Sequence, residues 1–167
     1  GGTGTDTVSY AYATAAVQVS LALTTVQATG GSGYDKLLGI EDLTGSAYAD
    51  SLTGNNLANV LDGGAGSDTM AGGNGSDIYY VRDVGDLVNE TNPTTTGGND
   101  LVLSTLSSYT LGANVENGCL LSAGAANLTG NSLANVLCAG VGNNVLNGDT
   151  GIDTVSYAYG VTGTTGV

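Results

Sequence analysis

The chain has 167 residues, enough for one domain with a sizeable core, and its 41% hydrophobic content excludes plain disorder. Its 29 glycines, single proline and lack of Trp, Phe and His exclude an ordinary globular interior; without imidazole, the commonest general base and every Ser-His or Cys-His pair are missing, which argues against an enzyme. Fifteen acidic residues against two basic ones, Lys36 and Arg82, give a net charge of −13 that disfavours nucleic acid and anionic membranes and favours cations from solvent as partners.

In chain order, the first unit is Gly1–Ser9, GGTGTDTVS. Val17 to Leu23 has an apolar residue at every second position and predicts a half-buried strand. Gly30–Leu38 reads GGSGYDKLL, and from Gly45 four nonapeptides adjoin: GSAYADSLT, GNNLANVLD, GGAGSDTMA and GGNGSDIYY. Ile78–Val81 and Leu87–Glu90 predict strands around a turn, with residues 92–99 as a loop. Asp83, Asp86 and Asp100 read as solvated turn residues rather than metal ligands. Three further nonapeptides adjoin from Gly130: GNSLANVLC, AGVGNNVLN and GDTGIDTVS. No segment predicts a helix or a membrane span. The expected organisation is one repeat domain over 1–167, with a first tandem array at 45–80, an inter-repeat segment at 81–129 and a second array at 130–156.

Across these nine units the sixth residue is always Asp or Asn: Asp6, Asp35, Asp50, Asn59, Asp68, Asp77, Asn135, Asn144 and Asp153. The eighth is always apolar, from Val8 and Leu37 to Leu146 and Val155. A six-residue turn and a three-residue strand send the eighth side chain inward, and two units make one coil. Residues 18 apart then meet on the same edge, about 4.8 Å from one another: Asp50 with Asp68, Asn59 with Asp77, Asn135 with Asp153. Stacked carboxylates repel unless a cation lies between them, and donors that are all oxygen select a hard ion such as calcium. Asn at the sixth position lowers the charge of a site, and at Asn144 an Asx-turn satisfied by its own backbone fits equally well.

The pattern G-G-x-G-x-D-x-U-x, met in full at Gly1–Ser9, Gly30–Leu38, Gly63–Ala71 and Gly72–Tyr80, resembles the repeats-in-toxin (RTX) family of hemolysin-type calcium-binding repeats. Residues 80–88 and 109–117 resemble inter-repeat segments of large bacterial members. The resemblance implies an all-β fold, a parallel β-roll or β-solenoid. It also implies calcium ions shared by turn carbonyls and by the aspartates of successive turns. Those roles fall on Asp50, Asp68 and Asp77, with Asn59 as a weaker ligand and Gly63, Ala65, Gly72 and Asn74 as carbonyl donors. Asp6, Asp35 and Asp153 follow on motif alone. The resemblance further implies a secreted or cell-surface structural module exported by type I secretion and folding on calcium. The alternative is an accessory module of a secreted protease, lipase or epimerase. Cys119 and Cys138 lie 19 apart, so a bond between adjacent rungs and two buried thiols both fit. DTVSYAY at 6–12 recurs at 153–159, which suggests end-to-end association with another copy or with the rest of a longer repeat protein.

Overall fold

A computed structural model describes residues 1–93 and 96–157, and every regular element in it is a strand of two to four residues. The brevity follows from the repeat, which leaves three residues between turns: one side chain points in and two point out. On one face β1 (Thr7–Ser9), β5 (Asp42–Thr44), β7 (Val60–Asp62), β9 (Ile78–Val81), β11 (Leu101–Ser104), β13 (Asn117–Leu120), β15 (Val136–Cys138) and β17 (Thr154–Ser156) stack in that order as one parallel sheet. The other face stacks β2 (Gln18–Ser20), β6 (Ser51–Thr53), β8 (Thr69–Ala71) and β10 (Leu87–Val88). It continues in a separate parallel sheet of β12 (Ser108–Thr110), β14 (Asn127–Thr129) and β16 (Val145–Asn147). The chain alternates between faces, so it winds as a flattened β-solenoid of about six turns.

The register makes the interior three columns, one on the first face and two on the second. On the first face Val8, Leu43, Leu61, Tyr79, Val102, Gly118, Leu137 and Val155 stand directly above one another. On the second, Val19, Leu52, Met70 and Val88 form one column and Tyr109, Leu128 and Leu146 another. Leu43, Leu52, Leu61, Met70, Tyr79, Val102, Leu128 and Leu137 are buried, while Val155 in the last coil is half-exposed. A column of same-facing apolar residues removes each from water against the residue above and below, which fixes register, since a one-residue slip would turn the whole column outward. Gly118 is the gap in its column. A side chain there would run into Leu111 Cδ2 at 2.9 Å and Leu128 Cδ2 at 3.1 Å, so those leucines fill the space.

Insertions leave this register intact. Leu43, Leu61 and Tyr79 are 18 residues apart, but Tyr79 to Val102 takes 23, and Val8 to Leu43 takes 35. The longer first interval corrects one expectation. Gly30–Leu38 is not a rung: β3 (Gln27–Gly30) and β4 (Gly33–Asp35) pair antiparallel as a hairpin beside β2. Gly30 (φ 68) and Gly33 (φ 92) make its reversal. The strand expected over Val17–Leu23 is ordered as Gln18–Ser20, with Val17, Val19 and Leu21 buried and Leu23 exposed. Ile78–Val81 forms β9 as expected, and Leu87–Glu90 contributes only Leu87–Val88, on the opposite face. Residues 94 and 95 of the expected loop, and 158 and 159 of the recurring DTVSYAY, lie outside the described residues. Cys119 and Cys138 are paired neighbours in β13 and β15 and form a disulfide between adjacent coils.

Candidate metal centre

Each solenoid edge carries a ladder built from sixth-position residues. The N–H of Asp50 donates to Asp68 Oδ1 at 2.8 Å, and that of Asp68 to Asp86 Oδ1 at 3.1 Å. On the opposite edge the N–H of Asn59 donates to Asp77 Oδ1 (2.8 Å), Asp77 to Asp100 Oδ1 (2.9 Å) and Asp100 to Glu116 Oε2 (2.8 Å); further along, Asn135 donates to Asp153 Oδ1 (2.9 Å). The three pairs expected at a separation of 18 are therefore in contact, and one oxygen of each upper side chain is used to hold the coil below.

The second oxygen distinguishes the turns. In three aspartate turns the N–H of the second turn residue caps it, Gly2 on Asp6, Ser46 on Asp50 and Arg82 on Asp86, and at Asn59 and Asn135 the N–H of Asn55 and Asn131 goes to the single amide oxygen. At Gly64 (φ 95) and Gly73 (φ 103) the backbone is left-handed, a conformation that glycine adopts without steric cost, and the N–H turns away. Gly64 donates to Asp62 Oδ1 and Gly73 to Glu90. As a result Asp68 Oδ2 and Asp77 Oδ2 are buried without a hydrogen-bond partner. The first-position glycines make room for these oxygens: a Cβ on Gly63 would lie 2.1 Å from Asp68 Oδ2, and one on Gly72 the same distance from Asp77 Oδ2. Turn carbonyls converge nearby. Gly63 O and Asp50 Oδ2 both lie within 2.4 Å of the point where a Gly45 side chain would begin, as do Gly72 O and Asn59 Oδ1 at Gly54.

The electrostatics match a missing positive charge. Burial pushes the Asp68 carboxyl up to about 6, helped by the carboxylates of Asp86, Asp50 and Asp83. Burial likewise pushes Asp77 and Asp100 up to about 7, with Glu90 adding to both, and raises Glu90 itself. Among the described residues the ion pair is Arg82–Asp62, at 2.7 Å, with the guanidinium also 4.9 Å from the Tyr80 ring centroid. That cation is committed to the outer surface and leaves the buried carboxylates uncompensated.

The remaining expected ligands are placed differently. Asn59 is complete without an ion: Oδ1 accepts from Asn55 and Nδ2 donates to the Glu41 carbonyl at 2.8 Å. Asp35 lies in the hairpin, off both ladders, and accepts from Thr29 Oγ1 (2.9 Å) and Tyr10 Oη (3.2 Å). Asp6 and Asp153 sit half-buried in the outermost coils. The Asn74 side chain joins an outer row with Asn56 and Asn92 at third turn positions; Ala65 N–H meets the Ser46 carbonyl at 3.3 Å. Reading Asp100 as a solvated turn residue is incorrect, since it is 2% exposed. Asp86 is likewise not a free turn residue but a rung of the ladder. Residues 81–89 form an uncounted nonapeptide with Asp86 sixth and Val88 eighth, hidden because it lacks the glycine pair. Glu90 was missed altogether, and no local motif marks it.

Fold and edges together define a class: a parallel β-solenoid whose turns stack buried carboxylates without cationic partners. More particularly, the chain carries RTX repeats: the family model for the RTX calcium-binding nonapeptide repeat matches residues 37–56, 44–79 and 122–155. No curated protein and no solved structure matches the chain. The solenoid is thus a calcium-binding repeat module.

Proposed function

We propose that this module is a structural part of a secreted or cell-surface bacterial protein, such as an adhesin, surface layer or extracellular filament, and that it folds when it meets extracellular calcium. The observation that carries the reading is the pair Asp68 and Asp77, each fully buried with one oxygen unpartnered. An uncompensated buried carboxylate costs several kcal/mol, and a hard cation among carboxylate and carbonyl oxygens removes that cost. In this reading Asp68, flanked by Asp50 and Asp86, serves one edge with the Gly63 and Ala65 carbonyls. Asp77 serves the other with those of Gly72 and Asn74. Asp6 and Asp153 extend the ladders in the outer coils. Asn59 is left out because its amide is already hydrogen-bonded at both ends, and Asp35 because it lies in the hairpin, off both ladders.

Each site filled at ten times its dissociation constant adds about 1.4 kcal/mol, so a few sites decide whether a domain of ordinary stability folds. The strands at the two ends of the eight-stranded sheet, β1 and β17, are both Thr-Val-Ser, which supports end-to-end association with another copy. The test is circular dichroism during calcium titration from chelator, with magnesium as control and sedimentation on the same samples. A β spectrum should arise with calcium and not with magnesium, and the sedimentation coefficient should then rise with protein concentration. A β spectrum already complete in chelator would overturn calcium-coupled folding.

A further inference from the structure

The calcium repeats matched by the family model stop at residue 79 and resume at 122. At the edge of this gap lies a group of carboxylates of which two, Glu90 and Asp100, fall outside the nonapeptide pattern. Asp77, Glu90 and Asp100 are all buried, and one oxygen from each lies within 4.8 Å of the other two. Glu90 stands 18 residues after Gly72, so it occupies the first turn position, where the stacked units below carry Gly54 and Gly72. Asp100 reaches the sixth position only because the turn is five residues longer than the others, 23 rather than 18 after Asp77.

Backbone and side chains hold the group in place from several directions. Asp77 N–H donates to Asp100 Oδ1, Asp100 N–H to Glu116 Oε2, and Asn114 Nδ2 to the Glu90 carbonyl at 2.9 Å. The Tyr79 hydroxyl crosses the interior to donate to Glu90 Oε1 and accepts the Gly72 N–H at 2.7 Å. The independent sign of a ligand is Asp77 Oδ2, which is buried and unpartnered. It faces the space beside Gly72 into which the Tyr79 hydroxyl also projects: a Cβ on Gly72 would lie 2.1 Å from the first and 2.3 Å from the second. The charged groups acting on these three residues are themselves carboxylates, namely Glu90, Asp77 and Glu116.

We propose that Glu90 and Asp100 join Asp77 in one calcium site that departs from the repeat pattern, in which the Glu90 side chain stands where the repeats use a glycine turn. The three carboxylates sit inside the solenoid edge, and two of them come from the segment between the arrays. The site therefore ties the first array to the segment that follows it. The proposal rests on the calcium reading above only for the identity of the ion. Higher ligand charge strengthens a calcium site, so this one fills before the repeat turns as calcium rises.

The test uses the full chain and its variants Glu90→Gln, Asp100→Asn, Asp68→Asn and Tyr79→Phe. Bound calcium is counted by equilibrium dialysis, and terbium emission is excited through tyrosine. Glu90→Gln keeps the size of the side chain and its acceptor for Tyr79. Glu90→Gln and Asp100→Asn should each lose the first ion bound, about a tenfold weakening or more, and most of the sensitised emission. Asp68→Asn should keep both the first ion and the emission while losing a later one. Tyr79→Phe should keep the ion count and lose emission, which tests the site even if Glu90→Gln fails to fold. If Glu90→Gln binds as the unaltered chain does while Asp68→Asn loses an ion, this site is wrong and the repeat reading stands. If neither variant loses an ion, both fall. Undiminished emission from Tyr79→Phe would also overturn the site.

Discussion

Asn135 and Asp77 hold the same place in the fold, the sixth turn position on one edge, and they reach opposite hydrogen-bond balances. Asn135 accepts the Asn131 N–H at 2.8 Å and gives Nδ2 to the carbonyls of Val115 and Glu116, both at 3.1 Å. Its turn is neutral and complete. Asp77 accepts one N–H from Asn59 and has nothing to offer to surrounding oxygens, so one of its own is left bare. Asn59 repeats the Asn135 solution one coil below Asp77, and Asn144 does so in part, donating to Gly140 O at 2.8 Å. The amide supplies with its own N–H bonds what the Asp77 turn lacks. The second array is thus self-sufficient where it carries Asn, while in the first array Asp68 and Asp77 each keep one buried oxygen without a partner.

The strongest way to break this comparison is to exchange the two residue types. Asn135→Asp would set a buried carboxylate against the Val115 and Glu116 carbonyls. In chelator it should cost about 3 kcal/mol, most of it regained in millimolar calcium. Asp68→Asn should do the reverse, stabilising the chelated protein and reducing the gain from calcium. Denaturant unfolding with and without calcium measures both, and equal costs of Asn135→Asp in the two conditions would break the comparison.

A smaller effect comes from protons. The folded values of Asp68, about 6, and of Asp77 and Asp100, about 7, lie above the ordinary carboxyl value. In chelator the stabilisation from holding these groups protonated is fully present below about pH 4 and is lost as pH rises through 6 to 7. The melting temperature of the calcium-free protein should therefore fall over that window, and an Asp68→Asn, Asp77→Asn double variant should flatten the slope. In calcium the slope should reverse, because protons then compete with the ion. The smallest effect distinguishes the turns themselves. Gly64→Ala places a Cβ at φ 95 and 2.2 Å from the Ser46 carbonyl, and should cost about 2 kcal/mol in thermal unfolding. Gly2→Ala, at the same turn position with an ordinary backbone and nothing within 4 Å of the added Cβ, keeps the N–H bond to Asp6 and should cost less.

Much of this architecture was legible because nine-residue spacing is local. The eighth-position column and the pairs Asp50–Asp68, Asn59–Asp77 and Asn135–Asp153 all follow from counting. Counting failed where the coil length changed. The offset of 35 residues hid Glu41, whose Oε2 accepts the Asp6 N–H at 2.9 Å, and that of 23 hid Asp100, which accepts the Asp77 N–H. The motif also misled at Gly30–Leu38, where a full match to the glycine turn, Asp and apolar residue folds as an antiparallel hairpin and not as a rung. Asp86 and Val88 held the right positions at 81–89 without the glycines that draw attention to them. Glu90 could not have been found locally, because its significance comes from Gly72 and Tyr79, which only the winding of the chain brings beside it.

The bond between Cys119 and Cys138 has a mechanical consequence. If the solenoid is drawn out by its C-terminal end, strands strip away singly, each held by only a few hydrogen bonds. On reaching Cys138 the tension passes through sulfur straight to Cys119. The intervening coil, with β14 at its centre, then carries no load, so it is sheltered while the thread beyond it unravels.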